Sequence, residues 1–245
     1  MIVDCHCHAG KGDGLTGPWD TNAELEPYLA RARAAGIGRT VLVPPFHSDY
    51  RRANAALARI AARYPGRFIC FAAVHPRRDA GRIRQMIGHA VTTWGFRGIK
   101  IHRHDAPATR EVCDAARAYR LPVLYDVMGE PYRLEMLAPE YPDVNFIVPH
   151  LGSFGDDWRA HTQLIDQLAR CPNVYADTSG VRRFDYLLKA IERAGPYKIL
   201  FGSDGPWLHP ALELYKIRLL GLPRCDEALV LGRNLVRLIK NVCAK

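Results

Sequence analysis

Eight short β-rich segments alternate with eight amphipathic segments along the 245 residues, and this alternation restricts the fold more than any other feature. The predicted strands cover residues 2–5, 40–43, 68–74, 98–102, 123–127, 146–149, 174–177 and 199–202. The predicted helices cover residues 22–35, 50–63, 79–93, 109–119, 131–138, 157–170, 183–193 and 210–219, with a final amphipathic stretch at 226–241. Short strand–helix connections are typical of a parallel sheet with helices outside it. Eight units in this length predict an α/β fold, a slightly compact (β/α)8 TIM-type barrel that forms a single domain over residues 1–245 and has an extra C-terminal helix.

A helix-start signal precedes the first predicted helix. The run Thr21-Asn-Ala-Glu24 has the residue types and spacing of a capping box, and Gly36 and Gly38 follow the predicted helix end. We therefore expect Thr21 to cap this helix.

The composition is that of a globular chain, with 48% hydrophobic and 24% charged residues. No apolar run approaches the roughly 20 residues that span a bilayer. The first residues also lack the charged and apolar regions of a signal peptide. We therefore expect a cytoplasmic protein with no membrane partner. The seven scattered cysteines, odd in number, then predict free thiols.

The formal net charge of +9 would suit an acidic substrate or nucleic acid. The arginines occur in dispersed pairs on predicted helices, without interleaved aromatic residues, which favours solvated helix faces. We do not expect nucleic acid as a partner.

The chain opens with two histidines two residues apart, His6 and His8, at the end of the first predicted strand. Alternate residues of a strand point to the same side, so Asp4 should share a face with both histidines. Cys5 and Cys7 should lie on the other face. Two imidazoles that project together form half of a divalent metal site.

Polar residues also end several other predicted strands. Lys100 and His102 lie on one face of the fourth strand, Asp126 ends the fifth, His150 follows the sixth and Asp204 follows the eighth. A single strand-end His or Asp is often only a loop cap. In a (β/α)8 barrel, however, the C-terminal strand ends converge on one site, and together these residues predict that site.

Several motifs, taken in order, resemble the amidohydrolase superfamily, and in particular its amidohydrolase-related branch of aminocarboxymuconate-semialdehyde-decarboxylase-like enzymes. They are His6-Cys7-His8, Arg97-Gly-Ile-Lys-Ile-His102, His150-Leu-Gly152, the segment 173–180 and Phe-Gly-Ser-Asp-Gly-Pro at 201–206. The resemblance spans nearly the whole predicted barrel, and it implies a metal-dependent enzyme.

The resemblance implies a role for each matching residue. His6 and His8 correspond to the metal ligands of the first strand. Asp204 corresponds to the eighth-strand ligand that takes a proton from the attacking water in hydrolytic members. His150 corresponds to a sixth-strand histidine that binds metal in binuclear members and is catalytic in mononuclear ones. Lys100 lies where binuclear relatives carry a carboxylated lysine or a glutamate, or it is an inward, ion-paired lysine.

One position departs from the family pattern. The family usually has a metal-binding histidine at the end of the fifth strand, where this chain has Asp126. Aspartate adds a negative charge and a harder oxygen ligand. Three outcomes stay open: a site that tolerates manganese, an aspartate that binds through water, and a weakened site. We expect Asp126 to be a ligand or a neighbour of the ligands, with zinc as the metal and manganese as the alternative.

The expected reaction is hydrolysis of a small-molecule amide, ester or lactone by a metal-activated water. Asp204 would accept the water proton, and His150 and His102 would stabilise the oxyanion. Non-oxidative decarboxylation of a small carboxylic acid on the same site is the alternative. Lys100, Arg103 or Arg159 would then hold the acid. No residue in the sequence decides between the two reactions.

Loop residues near the predicted barrel mouth could shape the substrate pocket. Trp207 is expected to contact substrate. Residues 12–17 match GxGxxG literally, but no strand directly precedes them and no helix begins on them, so we interpret them as a loop over the mouth, with Trp19 beside the pocket.

Two further readings stay open. A TatD-type DNase would suit the basic charge, although such enzymes usually carry a fourth-strand glutamate where this chain has Lys100 and His102. A barrel that binds a metabolite or metal without catalysis is the other, and Asp126 keeps it open. The resemblance also allows a homodimer, because members are often dimeric.

Overall fold

The computed structural model of the chain describes residues 1–17, 21–155, 157–240 and 242, and its core is one eight-stranded sheet. The strands are β1 (Ile2–His8), β2 (Gly10–Lys11), β3 (Asn22–Ala23), β4 (Ile37–Val43), β5 (Phe68–Ala73), β6 (Gly98–His102), β7 (Val123–Asp126), β8 (Phe146–Val148), β9 (Val174–Asp177) and β10 (Ile199–Leu200). All except β2 and β3 form the large sheet, in chain order and with parallel pairing.

Helices cover the outside of this sheet. They are α1 (Leu25–Ala34), α2 (Tyr50–Ala62), α3 (Ile83–Trp94), α4 (Arg110–Tyr119), α5 (Leu134–Glu140), α6 (Trp158–Arg170), α7 (Phe184–Ala194), α8 (Pro210–Leu219), α9 (Arg224–Ala228) and α10 (Asn234–Ile239). None of the helices described is both long and apolar enough to cross a membrane.

Hydrogen bonds between the last and first strands close the sheet. The backbone N–H of Cys5 donates to the carbonyl of Phe201 at 2.9 Å, and the N–H of Asp204 donates to the carbonyl of His6 at 2.7 Å. The predicted (β/α)8 barrel is therefore confirmed, with all eight predicted strands in their places.

The barrel interior is filled by side chains from seven of its strands, in the way expected of a packed barrel. They are Val3, Cys5, Val41, Val43, Ile69, Phe71, Leu124, Ile147, Tyr175 and Leu200. Leu235 and Leu238 of α10 join the same cluster. A second, larger cluster lies between the strands and the helices.

The predicted C-terminal helix is interrupted. A π-helical turn at Leu229–Arg233 separates α9 from α10. Within that turn the backbone of Gly232 lies so close to β1 that an added Cβ would come within 2.9 Å of a Val3 methyl carbon. The helix bends where its backbone meets the first strand.

A bulge in β1 corrects the predicted assignment of its faces. Asp4 pairs with Thr40 and Cys7 pairs with Leu42, so β1 has one more residue than β4 between these two pairs. Beyond this extra residue the alternation of faces shifts. Cys5 belongs to the barrel interior, whereas Asp4 accepts a hydrogen bond from Tyr28 of α1 at 2.7 Å. The prediction that Asp4 shares the face of His6 and His8 is wrong.

The predicted capping box is also wrong. Helix α1 begins at Leu25, and its N-cap Glu24 makes no side-chain cap hydrogen bond. Asn22 and Ala23 pair with Lys11 and Gly10 in an antiparallel ladder, which holds them in an extended conformation instead of the first helical turn.

Candidate metal centre and substrate cavity

A cavity of about 510 Å³ opens at the C-terminal ends of the barrel strands, where a barrel of this kind carries its site. Its lining combines histidines, carboxylates and one lysine with an apolar and aromatic rim. The lining residues are His6, His8, Pro44, Pro45, Phe46, Tyr50, Ala73, Val74, Lys100, Ile101, His102, Asp105, Asp126, Met128, His150, Ser153, Phe154, Asp204, Trp207 and Leu208. The lining includes the residues for which the sequence predicted a metal, catalytic or substrate-contact role: His6, His8, Lys100, His102, Asp126, His150, Asp204 and Trp207.

Three of these side chains form a cluster with metal-ligand geometry, which we call the triad: His6, His8 and Asp204. Asp204 Oδ1 lies 3.3 Å from His8 Nε2 and 3.6 Å from His6 Nε2. A tetrahedral ion with bonds of about 2.0–2.2 Å has its ligand atoms roughly 3.4 Å apart. The triad therefore fits a small divalent metal ion in both donor type and spacing.

The carboxylate of Asp204 is well suited to this role. Burial disfavours its charged form, but the hydrogen bond from His8 and the nearby histidines outweigh burial and hold the pKa of Asp204 below its ordinary range. Asp204 is therefore ionised at neutral pH.

Left-handed backbone conformations concentrate at this end of the barrel. Asp204 has φ 53°, His150 φ 58°, Leu151 φ 49° and Met128 φ 49°. Three of these four residues line the cavity. Such conformations cost of order 1–3 kcal/mol for residues other than glycine and cluster at functional sites. The backbone at Asp204 and His150 is therefore strained at the positions where these two side chains enter the cavity lining.

A buried network behind the triad orients the two inner histidines. Asp177 Oδ2 lies 3.0 Å from His6 Nδ1, and Ser179 Oγ donates to Asp177 Oδ1 at 2.6 Å. The Nδ1 of His150 lies 2.9 Å from the Ser179 carbonyl. Each ring therefore carries a proton on Nδ1, and each presents Nε2 toward the cavity. Burial acts to lower the pKa of His150, but the charges of Asp204, Asp126 and Asp177 outweigh burial and raise it, so Nε2 of His150 can bind a proton as well.

The protonation of His6 agrees with this arrangement. Burial, followed by the charge of Lys100, lowers the pKa of His6 to about 4 despite Asp177. His6 is therefore neutral at physiological pH, which is the form that binds metal.

Asp126 connects two histidines beside the triad. Its Oδ2 lies 3.1 Å from His102 Nε2 and 3.6 Å from His150 Nε2. His102 Nδ1 accepts the backbone N–H of His104 at 3.0 Å, so His102 carries its proton on Nε2 and donates it to Asp126. Burial opposes the charge on Asp126, but His102 first and then His150 hold its pKa well below its usual range.

Lys100 lies among these groups. Its Nζ is 3.4 Å from His6 Nε2. Burial lowers the pKa of Lys100, while Asp126 and Asp204 act in the opposite direction. Because Lys100 also lines the cavity, its terminal nitrogen can meet an oxygen atom of a bound substrate next to the triad.

Aromatic residues form the rim. The ring of Trp207 lies 4.5 Å from that of His8, and its indole N–H donates to the Asn22 carbonyl at 3.3 Å. Phe154, 60% exposed, packs edge-on against His150. The loop of residues 12–17, predicted to lie over the mouth, contacts His104 through Thr16, whose carbonyl oxygen lies 2.8 Å from His104 Nε2. Trp19 lies outside the described residues.

Two arginines proposed from the sequence to hold a substrate acid lie off the cavity. Arg103 forms a salt bridge with Glu130 at 2.7 Å, and the Arg159 guanidinium lies over the ring of Trp158. Sequence reasoning missed Asp105 and Tyr50, which line the cavity. Asp105 comes three residues after His102, so a search extended past the strand end would have found it.

Comparisons with solved structures support the fold. A dihydroxybenzoic acid decarboxylase from a Polaromonas species, with bound manganese and the inhibitor 2-nitroresorcinol, is 17% identical, covers 98% of this chain and 96% of that one, and has a TM-score of 0.76. A "probable 2-pyrone-4,6-dicarboxylic acid hydrolase" from Acinetobacter baumannii with citric acid bound is 15% identical, covers 98% and 99%, and has a TM-score of 0.76. An amidohydrolase from Burkholderia multivorans with bound zinc is 16% identical, covers 98% and 99%, and has a TM-score of 0.80.

These similar structures include both decarboxylases and hydrolases, so both reactions considered from the sequence are compatible with this barrel. The comparison with curated proteins finds no match. A family model described as amidohydrolase matches residues 3–234. The match confirms the resemblance seen in the motifs, and the chain belongs to the amidohydrolase family.

Proposed function

We propose that this protein is a metal-dependent hydrolase that acts on an amide, ester or lactone of a small molecule. The observation that carries the proposal is the triad, in which an ionised carboxylate oxygen lies 3.3 and 3.6 Å from the Nε2 atoms of two imidazoles in the lining of an open cavity. The volume of about 510 Å³ and the aromatic rim suit a substrate with a flat or apolar body.

His6, His8 and Asp204 would hold the metal, with the Nε2 of His150 and the carboxylate of Asp126 as the nearest further ligands. Zinc fits two imidazoles and a carboxylate, and manganese is the alternative because Asp126 adds a hard oxygen. When bound, the metal supplies Lewis acidity that acidifies water and polarises the carbonyl.

The protein's own side chains then divide the proton transfers. Asp204 receives the proton of the attacking water and passes it to the leaving group. The Lys100 ammonium, or a protonated His150 through Nε2–H, stabilises the developing oxyanion. His102 donates to Asp126 and fixes the orientation of that carboxylate, so we place its contribution there.

The charges of the cavity favour hydrolysis over decarboxylation. Asp105, Asp126 and Asp204 contribute three carboxylates, and Lys100 is the only lysine or arginine among the lining residues described. A substrate carboxylate would add a fourth negative charge, which the divalent metal and Lys100 would have to balance. An uncharged amide, ester or lactone avoids this repulsion.

We further propose that the enzyme works in the cytoplasm. Six of its seven cysteines lie in the described part of the chain, and all six are free thiols, which suits a reducing compartment. A homodimer is the assembly to test, by light scattering of the purified protein.

The test combines metal analysis with two substrate panels. Purified wild-type protein should contain about one zinc or manganese per chain and should hydrolyse members of an amide, ester and lactone panel. Asp204→Asn keeps a residue that tolerates the left-handed backbone, and we expect it to lower kcat by at least about 10³-fold. Asp143→Asn, a change on the surface, is the matched control.

Two results would redirect the proposal. Release of CO2 from an aromatic carboxylate panel, without hydrolysis, would select the decarboxylase alternative. Protein that neither contains metal nor takes it up on reconstitution would overturn the catalytic assignment.

A further inference from the structure

Asp105 and Tyr50 form a hydrogen-bonded pair in the cavity wall, and none of the roles above uses either residue. The Tyr50 hydroxyl donates to Asp105 Oδ2 at 2.5 Å, and both residues line the cavity. Tyr50 is the first residue of α2, and Asp105 lies in the loop after β6. The pair therefore joins two different strand-end loops across the mouth.

Hydrogen bonds connect the pair to the residues beside the metal centre. The backbone N–H of Asp105 donates to the carbonyl of His102 at 3.1 Å, and the N–H of His104 donates to the ring of the same residue. This turn ties Asp105 to the residue that holds Asp126. On the other side, the Tyr50 side chain is buried and only 5% exposed.

The pair leaves hydrogen-bond acceptor capacity for a ligand. Burial, followed by the charge of Asp105, raises the pKa of Tyr50 well above its usual range, so the hydroxyl keeps its proton and donates it. Among the described residues, Tyr50 is the one side chain that donates a hydrogen bond to Asp105, and no arginine or lysine forms a salt bridge with it. The second carboxylate oxygen, Oδ1, is therefore available to a donor inside the cavity.

We propose that the Asp105–Tyr50 pair is a specificity subsite. It binds a hydrogen-bond donor of the substrate, either an ammonium or a hydroxyl group, and it disfavours a substrate that carries a carboxylate at this position. The proposal rests on the proposed function, because the reacting carbonyl is placed at the triad and the donor group at the pair. A carboxylate facing an ion of opposite charge or a hydroxyl gains a charge-assisted hydrogen bond, whereas a second carboxylate is repelled.

The experiment measures binding with four matched probes: benzamide, 3-(aminomethyl)benzamide, 3-hydroxybenzamide and 3-carboxybenzamide. Dissociation constants are measured by isothermal titration calorimetry with zinc-loaded protein. For the wild type we expect the aminomethyl probe to bind about tenfold more tightly than benzamide, and the carboxy probe about tenfold more weakly. The hydroxy probe should lie between benzamide and the aminomethyl probe.

Two variants assign the preference to the pair. Asp105→Asn should bring the four dissociation constants within about threefold of one another, because the charge that separates them is gone. Tyr50→Phe keeps the Asp105 carboxylate but removes the hydrogen bond from the Tyr50 hydroxyl. The four probes should then bind in the same order of affinity as with wild type, but with smaller differences between their dissociation constants. Asp143→Asn, far from the cavity lining, should behave as wild type. Zinc content and the thermal midpoint establish that each variant is folded.

The outcomes separate the two proposals. A flat wild-type series, including failure of the donor probes to bind, or an unchanged preference in Asp105→Asn, would overturn the subsite. A preference that persists in protein without metal or hydrolytic activity would support the subsite while the proposed function fails. A Tyr50→Phe series equal to that of wild type would remove Tyr50 from the proposal.

Discussion

Asp177 Oδ2 lies 3.0 Å from Nδ1 of His6, and the two side chains, both fully buried, lie 171 residues apart in the sequence. The other oxygen of the same carboxylate accepts the backbone N–H of His150 at 3.0 Å. The carboxylate of Asp177, at the end of β9, therefore sets the tautomer of His6 in β1 and the position of His150 after β8.

Replacing Asp177 by Asn should weaken metal binding without removing a ligand. An amide can donate to His6 Nδ1 and move the ring proton to Nε2, where it blocks the metal. We expect zinc affinity to fall about 10–100-fold, measured by competition with a chromophoric chelator. Ser179→Ala should give a smaller loss, and Asp185→Asn, on the exposed face of α7, should give none. A zinc dissociation constant within twofold of wild type in Asp177→Asn would contradict the orienting role.

Metal removal should lower both activity and stability. Dialysis against a chelator should abolish hydrolysis, and zinc should restore it. Because the metal binds the folded chain, unfolding free energy should rise by about 2.7 kcal/mol when free zinc is 100 times its dissociation constant. The check is a thermal melt across a zinc titration, with Asp204→Asn as the variant that should not respond. An identical melt for wild type with and without zinc would argue against the site.

Lys198 should stabilise the barrel without contributing to catalysis. Its Nζ donates to the carbonyls of Cys171, Pro172 and Val174 at 2.6, 2.8 and 3.0 Å. Lys198→Met leaves these carbonyls without their donor, and we expect the unfolding free energy to fall by about 2–4 kcal/mol. Urea unfolding measures this, with the exposed Lys189→Met as control. Zinc content per folded chain should stay unchanged, and a reduced content would instead connect Lys198 to the metal centre.

Gly180 should control the position of the aromatic rim. It has φ 66°, and an added Cβ would lie 2.6 Å from the ring of Phe154, which packs on His150. We expect Gly180→Ala to displace that ring and raise KM several-fold, while both strain and contact cost about 1 kcal/mol or more of stability. Gly221→Ala is a close match, because Gly221 has φ 63° and nothing within 4 Å. It should lose stability through strain but keep its KM. Equal KM values for the two variants would remove Phe154 from substrate binding.

The barrel was readable from the sequence because the β-rich segments are short, apolar and regularly spaced. The strand-end rule also brought Lys100, Asp126, His150 and Asp204 into one cavity with the first-strand histidines. That rule depends only on parallel topology, so it needs no knowledge of side-chain packing.

Other features depend on tertiary contacts that no local pattern carries. The bulge in β1 arises from its register with β4, so simple alternation misplaced Asp4. The ladder between β2 and β3 overrode the capping signal at Thr21. Glu130 and Trp158 draw Arg103 and Arg159 away from the cavity. The first three of these outcomes depend on a partner at least ten residues away in the sequence, whereas Arg159 packs on its direct neighbour Trp158.

The extra residue in β1 also matters for grafting the two metal-binding histidines onto another barrel. The pair His6 and His8 points at the cavity only because the strand gains one step between Asp4 and Cys7. A two-residue histidine motif grafted onto a regular barrel strand would still project both rings together, but it would bring Asp4 with them. The Asp4 carboxylate would then no longer accept the hydrogen bond from Tyr28 of α1. To transfer this metal centre to another barrel, the bulged strand has to be transferred as a whole. The two histidines alone would lack the hydrogen bond between Asp4 and Tyr28 that connects β1 to α1.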